Sequence, residues 1–392
     1  MKDEENRCYL FLDEITSIKN WQKGIKKLWD DAYLKNCTVI VTGSHSIDMQ
    51  RSTEMLPGRR GDISEDDTYD KILLPMKFSE YVSLVDSDLG ELINKNFNRE
   101  SRKENFNSLL AHRIDTKFKE MFAYVSKLNQ YLHDYLTTGG IPMVINEYLQ
   151  KGEIPSSVYF VFFQYIIGDI HNLQHSEQIF KRLMTHIIEN IGFTLSYRDI
   201  QKSIDVGSSV TVEDYVNLLC NMFILTIFYK YDSTQKRGRT DKEKRIRFHD
   251  PFFFHTLNSW VQPEQSFYLT QQYLSEKKNL GQLVESVVGD HLIRLAFYLT
   301  KKKNMFDYSN YLYYWQDQKK YEVDYILNVD NQIEVPIEVK FTNQAVKSDE
   351  LNGLFNFKRI TGVLNAILIT EDILQSSREY IQIPASLFLL LI

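Results

Sequence analysis

The sequence predicts an α/β protein built from several domains, and three observations predict it. An apolar run, Cys8–Leu12, an amphipathic stretch and a second apolar run, Thr38–Val41, open the chain as strand, helix, strand. A long middle region has helical periodicity. From about Gly281 a further helical pattern leads into several strand-like runs, as in a second α/β unit. Gly and Pro number only 16 and 8 in 392 residues, about half of the roughly 12% of average usage, so long irregular loops should be few.

With 43% hydrophobic and 25% charged residues, the composition is that of a folded chain and excludes disorder. The formal balance of 46 basic and 52 acidic side chains gives −6, which excludes a globally basic nucleic-acid coat but leaves room for a local basic face. Cys8, Cys37 and Cys220 lack metal-ligand spacing and lie in or beside apolar runs, so buried thiols in a reducing compartment are expected. The first seven residues are too charged for a secretory signal, and the apolar end Leu387–Ile392 is too short to span a bilayer. The expectation is a soluble, cytoplasmic protein without a membrane partner.

Taken in order, residues 1–85 hold the first βαβ unit. Trp21, Ile25, Leu28 and Trp29 give its helix an apolar face. Residues 86–178 read as a helical lid or linker region, in which the charged 94–119 stretch looks like a solvated insertion, and Thr138-Gly139-Gly140-Ile141-Pro142 breaks the pattern. Residues 179–262 give helices over Ile179–Ile191, Tyr197–Ile204 and Val212–Met222, then strands Phe223–Tyr231 and Ile246–Phe248 around a polar loop. Three helices and a two-stranded ribbon predict a winged helix. Residues 263–392 give a helix Leu283–Leu299 and strands Tyr311–Trp315, Glu322–Val329, Val335–Phe341 and Ala366–Thr370.

The first strand ends in Asp13-Glu14. Such a pair can hold Mg²⁺ through its water shell and polarise a water attacking a γ-phosphate; by itself it is more often a solvated strand end. The second strand ends in Thr42-Gly43-Ser44, which brings small hydroxyl side chains to the same edge, where parallel α/β sheets bind ligands.

These strings, Leu10-Phe11-Leu12-Asp13-Glu14-Ile15, Val41-Thr42-Gly43-Ser44, Leu56-Pro57-Gly58-Arg59-Arg60 and Leu74-Pro75-Met76-Lys77-Phe78-Ser79-Glu80-Tyr81, together with Thr138–Pro142, Gly168-Asp169-Ile170 and His249-Asp250-Pro251, resemble those of prokaryotic AAA-type ATPases with a C-terminal module of unknown function. The resemblance implies a partial P-loop AAA core with ATP and Mg²⁺ as cofactors. Asp13 and Glu14 take the Walker B roles, Thr42 and Ser44 lie beside the nucleotide, and Arg59 and Arg60 face phosphate or remain a solvated basic loop. It also implies a GxxxxGK[ST] loop upstream of Asp13. No Gly-Lys-Ser or Gly-Lys-Thr occurs in the 392 residues, and twelve residues precede Asp13. The expectation is a truncated member, as a fragment, a late-start gene model or a decayed copy, unable to hydrolyse ATP alone. The strand order implied by the resemblance sets the phosphate-loop strand between the Thr42 strand and one near Ile72–Leu74, so either instability or completion of the sheet by another copy or a partner chain is expected.

Between Lys230 and Arg247 lie eight basic and three acidic residues. On a winged helix Lys236, Arg237, Arg239, Lys242, Lys244 and Arg245 would sit on the wing and meet the phosphates of DNA. A solvated hairpin tip and a protein-docking surface are the competing readings.

In the last domain Asp324 sits in one strand, and fourteen residues later Glu338-Val339-Lys340 sits in another. Side chains alternate along a strand, so Glu338 and Lys340 share a face and Asp324 can converge on them in a hairpin. With Glu285 from the preceding helix, these carboxylates offer hard oxygen ligands to Mg²⁺ or Mn²⁺, and Lys340 can steady a phosphate. The order helix-Glu, strand-Asp, strand-ExK resembles the PD-(D/E)xK nucleases. It implies a metal-dependent DNA nuclease, or a nuclease-like fold kept as a non-catalytic DNA- or protein-binding scaffold.

Overall fold

The computed structural model describes residues 7–15, 18–43, 56, 68–172, 175–262 and 264–392. Among them are sixteen α-helices and two sheets, so the chain is a mixed α/β protein. The smaller sheet pairs β1 (Cys8–Leu12) with β2 (Cys37–Val41) in parallel, from Cys8 opposite Cys37 to Leu12 opposite Val41. Helix Trp21–Asp30 connects them and buries Trp21 in a small cluster with Ile15 and Leu56. Tyr9, Phe11 and Ile40 of this sheet stay exposed. Cys8 is exposed too, against the expectation of buried thiols, because little covers its strand. Residues Ile72–Leu74 form no strand, and Leu73 is fully exposed.

The larger sheet has nine strands in the order β10-β11-β9-β8-β7-β6-β4-β5-β3. They are β3 (Thr194–Leu195), β4 (Leu225–Asp232), β5 (Arg237–Phe248), β6 (Leu312–Gln316), β7 (Glu322–Val329), β8 (Ile333–Val339), β9 (Ile367–Thr370), β10 (Gln375–Ser376) and β11 (Ile381–Pro384). Strand β4 runs parallel to β6 at Tyr229 opposite Tyr313 and Lys230 opposite Tyr314. Residues on both sides of position 262 therefore share one sheet and one core. The second strand of the hairpin is much longer than the expected Ile246–Phe248. It pairs Arg237–Arg239 with Lys230–Asp232 and resumes at Lys244, and the residues 240–243 between bulge out of the ladder.

Helices Glu177–Glu189, Tyr197–Ser203 and Ser209–Asn221 precede the hairpin, and β3, between the first two, pairs with β5. Ser176, Ser196 and Ser208 each accept a backbone N–H at the head of one of these helices, which fixes where each begins. The charged 94–119 stretch is not a solvated insertion. Phe97, Phe106, Leu109 and Phe118 are buried in the core with Leu110 and Ile114 packed against it, and burial of each of the four contributes about 1.5–3 kcal/mol. The apolar C-terminus is also internal, as helix Ala385–Leu390 packs against helices Phe78–Val85, Val125–Thr138 and Lys277–Leu299.

The segment from Pro75 to Phe78 is fastened to this body at every residue. Met76 N–H donates to Gly140 O at 2.7 Å, and Tyr135 Oη donates to Met76 O at 2.7 Å. Arg294 donates to Pro75 O at 2.9 Å, Lys77 Nζ donates to Ile392 O, and Phe78 N–H donates to His291 Nε2 at 3.0 Å.

Candidate functional site

Parallel register puts the C-terminal ends of β1 and β2 side by side, so Asp13 and Thr42 leave the sheet at the same edge. Thr42 Oγ1 donates to Asp13 Oδ1, and Glu14 N–H donates to Thr42 Oγ1 at 3.1 Å. Glu14 has φ 46°, a left-handed turn that ends the strand, after which Ile15 N–H donates to Thr42 O at 3.0 Å. Both carboxylates are exposed. Ser44, Arg59 and Arg60, the other expected nucleotide contacts, lie outside the described residues.

The second site forms where β5, β7, β8 and helix Lys277–Leu299 meet. In the antiparallel β7–β8 hairpin Tyr325 lies opposite Ile337. Past that pair Asp324 and Glu338 reach each other's strand: Val339 N–H donates to Asp324 Oδ2 at 2.9 Å, and Asp324 N–H donates to Glu338 Oε2 at 3.3 Å. Lys340 Nζ lies 2.6 Å from Glu338 Oε1. The four residues expected to converge, Glu285, Asp324, Glu338 and Lys340, do converge.

Two arginines join them. Arg245, 2% exposed, lies 2.8 Å from Asp324 Oδ1, 3.3 Å from Glu285 Oε1 and 2.8 Å from Glu322 Oε2. Arg247, 1% exposed, pairs with Glu285 Oε1 and donates to Ile191 O. Residues two apart on a strand share a face, which sends both guanidinium groups from β5 toward Glu285. Burial opposes charge on Arg245, but Glu285, Asp324 and Glu322 outweigh it and keep the guanidinium firmly protonated. Burial likewise opposes ionisation of Asp324, yet Lys340, Arg245 and the Val339 N–H hold its carboxyl below the usual range. Burial and the Asp324 charge push the Glu338 carboxyl up to about 8, while the pair with Lys340 pulls it down.

Both oxygens of Asp324 and both of Glu338 are thus already bonded within the protein. Among the described residues no group of three or more His, Cys, Asp or Glu side chains is arranged to hold a metal ion. As folded, this carboxylate set does not fit Mg²⁺ or Mn²⁺.

The basic stretch divides in two. Arg237, Arg239 and Lys242 are exposed, with Arg239 and Lys242 beside Asp241 at 3.0 and 3.5 Å. Lys236 pairs with Glu334 at 2.8 Å. Lys244 turns back into the bulge, where its Nζ donates to Thr240 O and Lys242 O and lies 4.5 Å from the centre of the Tyr197 ring. Arg245 is not on the surface of the hairpin: its guanidinium reaches inward to Asp324 and Glu285, with Glu322 at the rim. Sequence reasoning missed Arg247 and Glu322 as site members. The available signal was the alternation Arg245-Ile246-Arg247-Phe248, in which the charges keep step with core residues.

Residues 1–82 match the model of an AAA domain. This match contains Asp13, Glu14 and Thr42 and ends in the helix that follows the fastened Pro75–Phe78 segment. Residues 129–264 and 280–388 match models of two domains of unknown function, DUF8612 and DUF4143, and the second contains Glu285, Asp324, Glu338 and Lys340. The chain thus joins an AAA-type N-terminal part to a C-terminal module of unknown function. It is similar to two uncharacterized proteins of Methanocaldococcus jannaschii. MJ1637 is 25% identical over 396 residues, covering 99% of this chain and 72% of that protein. MJ1544 is 23% identical over 384 residues, covering 91% and 69%. No solved structure gives a significant match. No helix among the described residues is long and apolar enough to cross a membrane.

Proposed function

We propose that the protein is an ATP-driven switch of the AAA type that passes its nucleotide state to a target-binding C-terminal module. The observation that carries this reading is the Thr42–Asp13 bond at the C-terminal edge of two parallel strands. At that edge Asp13 would hold a nucleotide's Mg²⁺ through water, and Glu14 would polarise the attacking water. By the family resemblance Ser44 is a further expected nucleotide contact, and Arg59 and Arg60 face phosphate or form a solvated loop. The bonds linking Gly140, Tyr135, His291 and Arg294 to the Pro75–Phe78 segment fasten the end of the AAA match to the module, which supports such coupling.

No Gly-Lys-Ser or Gly-Lys-Thr of a phosphate-cradling loop occurs in the 392 residues, so these residues alone should turn over no ATP. The family resemblance implies that the missing element is a strand and GxxxxGK[ST] loop, whether encoded ahead of these residues or supplied by a second copy or a partner chain. The test joins the chain behind a strand–GxxxxGK[ST]–helix unit and measures ATP turnover with and without Glu14→Gln. Turnover lost in Glu14→Gln is expected, and a joined chain that binds ATP but shows no Glu14-dependent turnover overturns the reading.

The target class best supported is duplex DNA. The order helix, β3, helix, helix, β4, β5, with β3 paired to β5, favours a winged helix, and Arg237, Arg239 and Lys242 sit at the exposed end of its hairpin. The convergence of Asp324, Glu338 and Lys340 supports a PD-(D/E)xK-like fold for the last domain, used as a scaffold rather than for cleavage. This favours the binding alternative over the nuclease one.

A further inference from the structure

The geometry points to Arg245 as the resident cation of the D…ExK constellation: its guanidinium takes the place that a divalent ion would take between Asp324 and Glu285, so the protein as folded binds no metal there. This inference rests on the PD-(D/E)xK-like reading of the last domain and not on the ATPase reading.

The charge count supports it. Glu285, Glu322, Asp324 and Glu338 are four carboxyl groups, of which Glu322 is 43% exposed at the rim, and Arg245, Arg247 and Lys340 are three cations, so the set is one charge negative with Glu338 ionised and balanced with Glu338 protonated. Adding a divalent ion would make the buried site net positive in either form. Removing Arg245 instead leaves two cations against four carboxylates, a deficit that a divalent ion fills. The bonding agrees. Arg245 reaches three separate carboxylates with two nitrogens, the multidentate contact expected of a planar guanidinium among acidic oxygens. An ion entering between Asp324 and Glu285 would have to expel a side chain that has almost no solvent exposure. The site's cation also lies on β5, the strand that carries the hairpin tip, rather than on the hairpin that supplies Asp324 and Glu338.

The experiment measures Mn²⁺ binding by electron paramagnetic resonance, and melting temperature with and without Mn²⁺, on the full chain, Arg245→Gln, Asp324→Asn, and Arg245→Gln with Asp324→Asn. The wild type should show no site-specific Mn²⁺ binding and no metal-dependent rise in melting temperature. Arg245→Gln should melt lower, bind one Mn²⁺ at least about tenfold more tightly than the wild type, and regain melting temperature in its presence. The double variant should lose that binding. Mn²⁺ bound by the wild type and lost in Asp324→Asn overturns the proposal, as does a folded Arg245→Gln that binds no more than the wild type. If Arg245→Gln does not fold, the wild-type measurement decides: specific binding lost in Asp324→Asn overturns the proposal, and its absence supports it.

Discussion

The backbone N–H of Gly140 donates to Oδ2 of Asp250 at 2.8 Å across 110 residues of sequence, and its carbonyl accepts the N–H of Met76 at 2.7 Å. One residue thereby ties three separated strings, Leu74–Tyr81, Thr138–Pro142 and His249–Pro251, into one buried junction. A Cβ at Gly140 would lie 2.0 Å from Met76 O and 2.6 Å from Met76 N, both backbone atoms that cannot turn aside. Gly140→Ala should therefore destabilise the protein by about 3 kcal/mol or more, or prevent folding. Gly168, inside helix Ser156–Asn172 with nothing within 4 Å of its Cβ position, is the control. Gly168→Ala should stabilise by about 0.5–1 kcal/mol. Urea denaturation of the two variants checks both signs, and a tolerated Gly140→Ala would mean that the junction is not closely packed.

Asp250 contributes to the junction from the other side. Its carboxylate accepts from Gly140 N–H and from Phe252 N–H, both at 2.8 Å, and so caps helix Pro251–Val261. Asp250→Ala leaves two buried N–H groups without an acceptor, which should cost about 2–4 kcal/mol. Asp250→Asn keeps one side-chain oxygen and should fall between the wild type and Asp250→Ala. Equal stability of all three in urea would show that water replaces the carboxylate there.

Local pattern made some of this legible. Strand β7 has the bounds its sequence suggests, because Glu322–Val329 is a β-rich run ended by polar turn residues. Asp324, Glu338 and Lys340 came together as expected because a hairpin and strand alternation fix them almost by themselves. Arg245 and Arg247 were different. In a run of basic residues they resemble a solvated tip, and what buries them is Glu285, on a helix about forty positions away, and the strand pairing of β5. Nothing in the spacing of Asp324 and Glu338 tells which cation sits between them. Strand β11 and helix Ala385–Leu390 were missed for a related reason: a short apolar end has no period of its own until the helices around it exist.

Only part of the basic hairpin can meet a polyanion. Replacing Arg237, Arg239 and Lys242 by Ser should weaken duplex binding and reduce the slope of log K against log salt by about 2–3, one phosphate contact for each lost cation. Lys244→Gln should leave the slope unchanged, since the Lys244 ammonium is spent on the carbonyls of Thr240 and Lys242. Titration of a labelled duplex at several salt concentrations gives both slopes. An unchanged slope in the triple variant would place DNA binding elsewhere, or leave the hairpin as a solvated tip.

His291 gives the fold a dependence on pH whose sign follows from its bonds. Nδ1 lies 2.8 Å from Val287 O and must donate to it, so Nε2 carries no proton when it accepts the N–H of Phe78 at 3.0 Å. Protonation would turn that acceptor into a donor facing another donor. Burial is the larger cause that lowers its pKa, to about 3, against the opposing pull of Asp290. The unfolded chain takes up the same proton near pH 6.5. A base whose pKa is lower in the folded state contributes stability that is complete above about pH 6.5 and is lost as pH falls toward about 3. At pH 5 the loss from this one group should be about 2 kcal/mol relative to pH 7.5. His291→Gln removes the titrating group, so the difference in unfolding free energy between wild type and variant should shrink by that amount from pH 7.5 to pH 5. Guanidinium denaturation of both proteins at the two pH values measures it. A difference that does not change with pH would show that His291 takes up its proton as readily in the fold as out of it, and that Phe78 does not depend on a neutral ring.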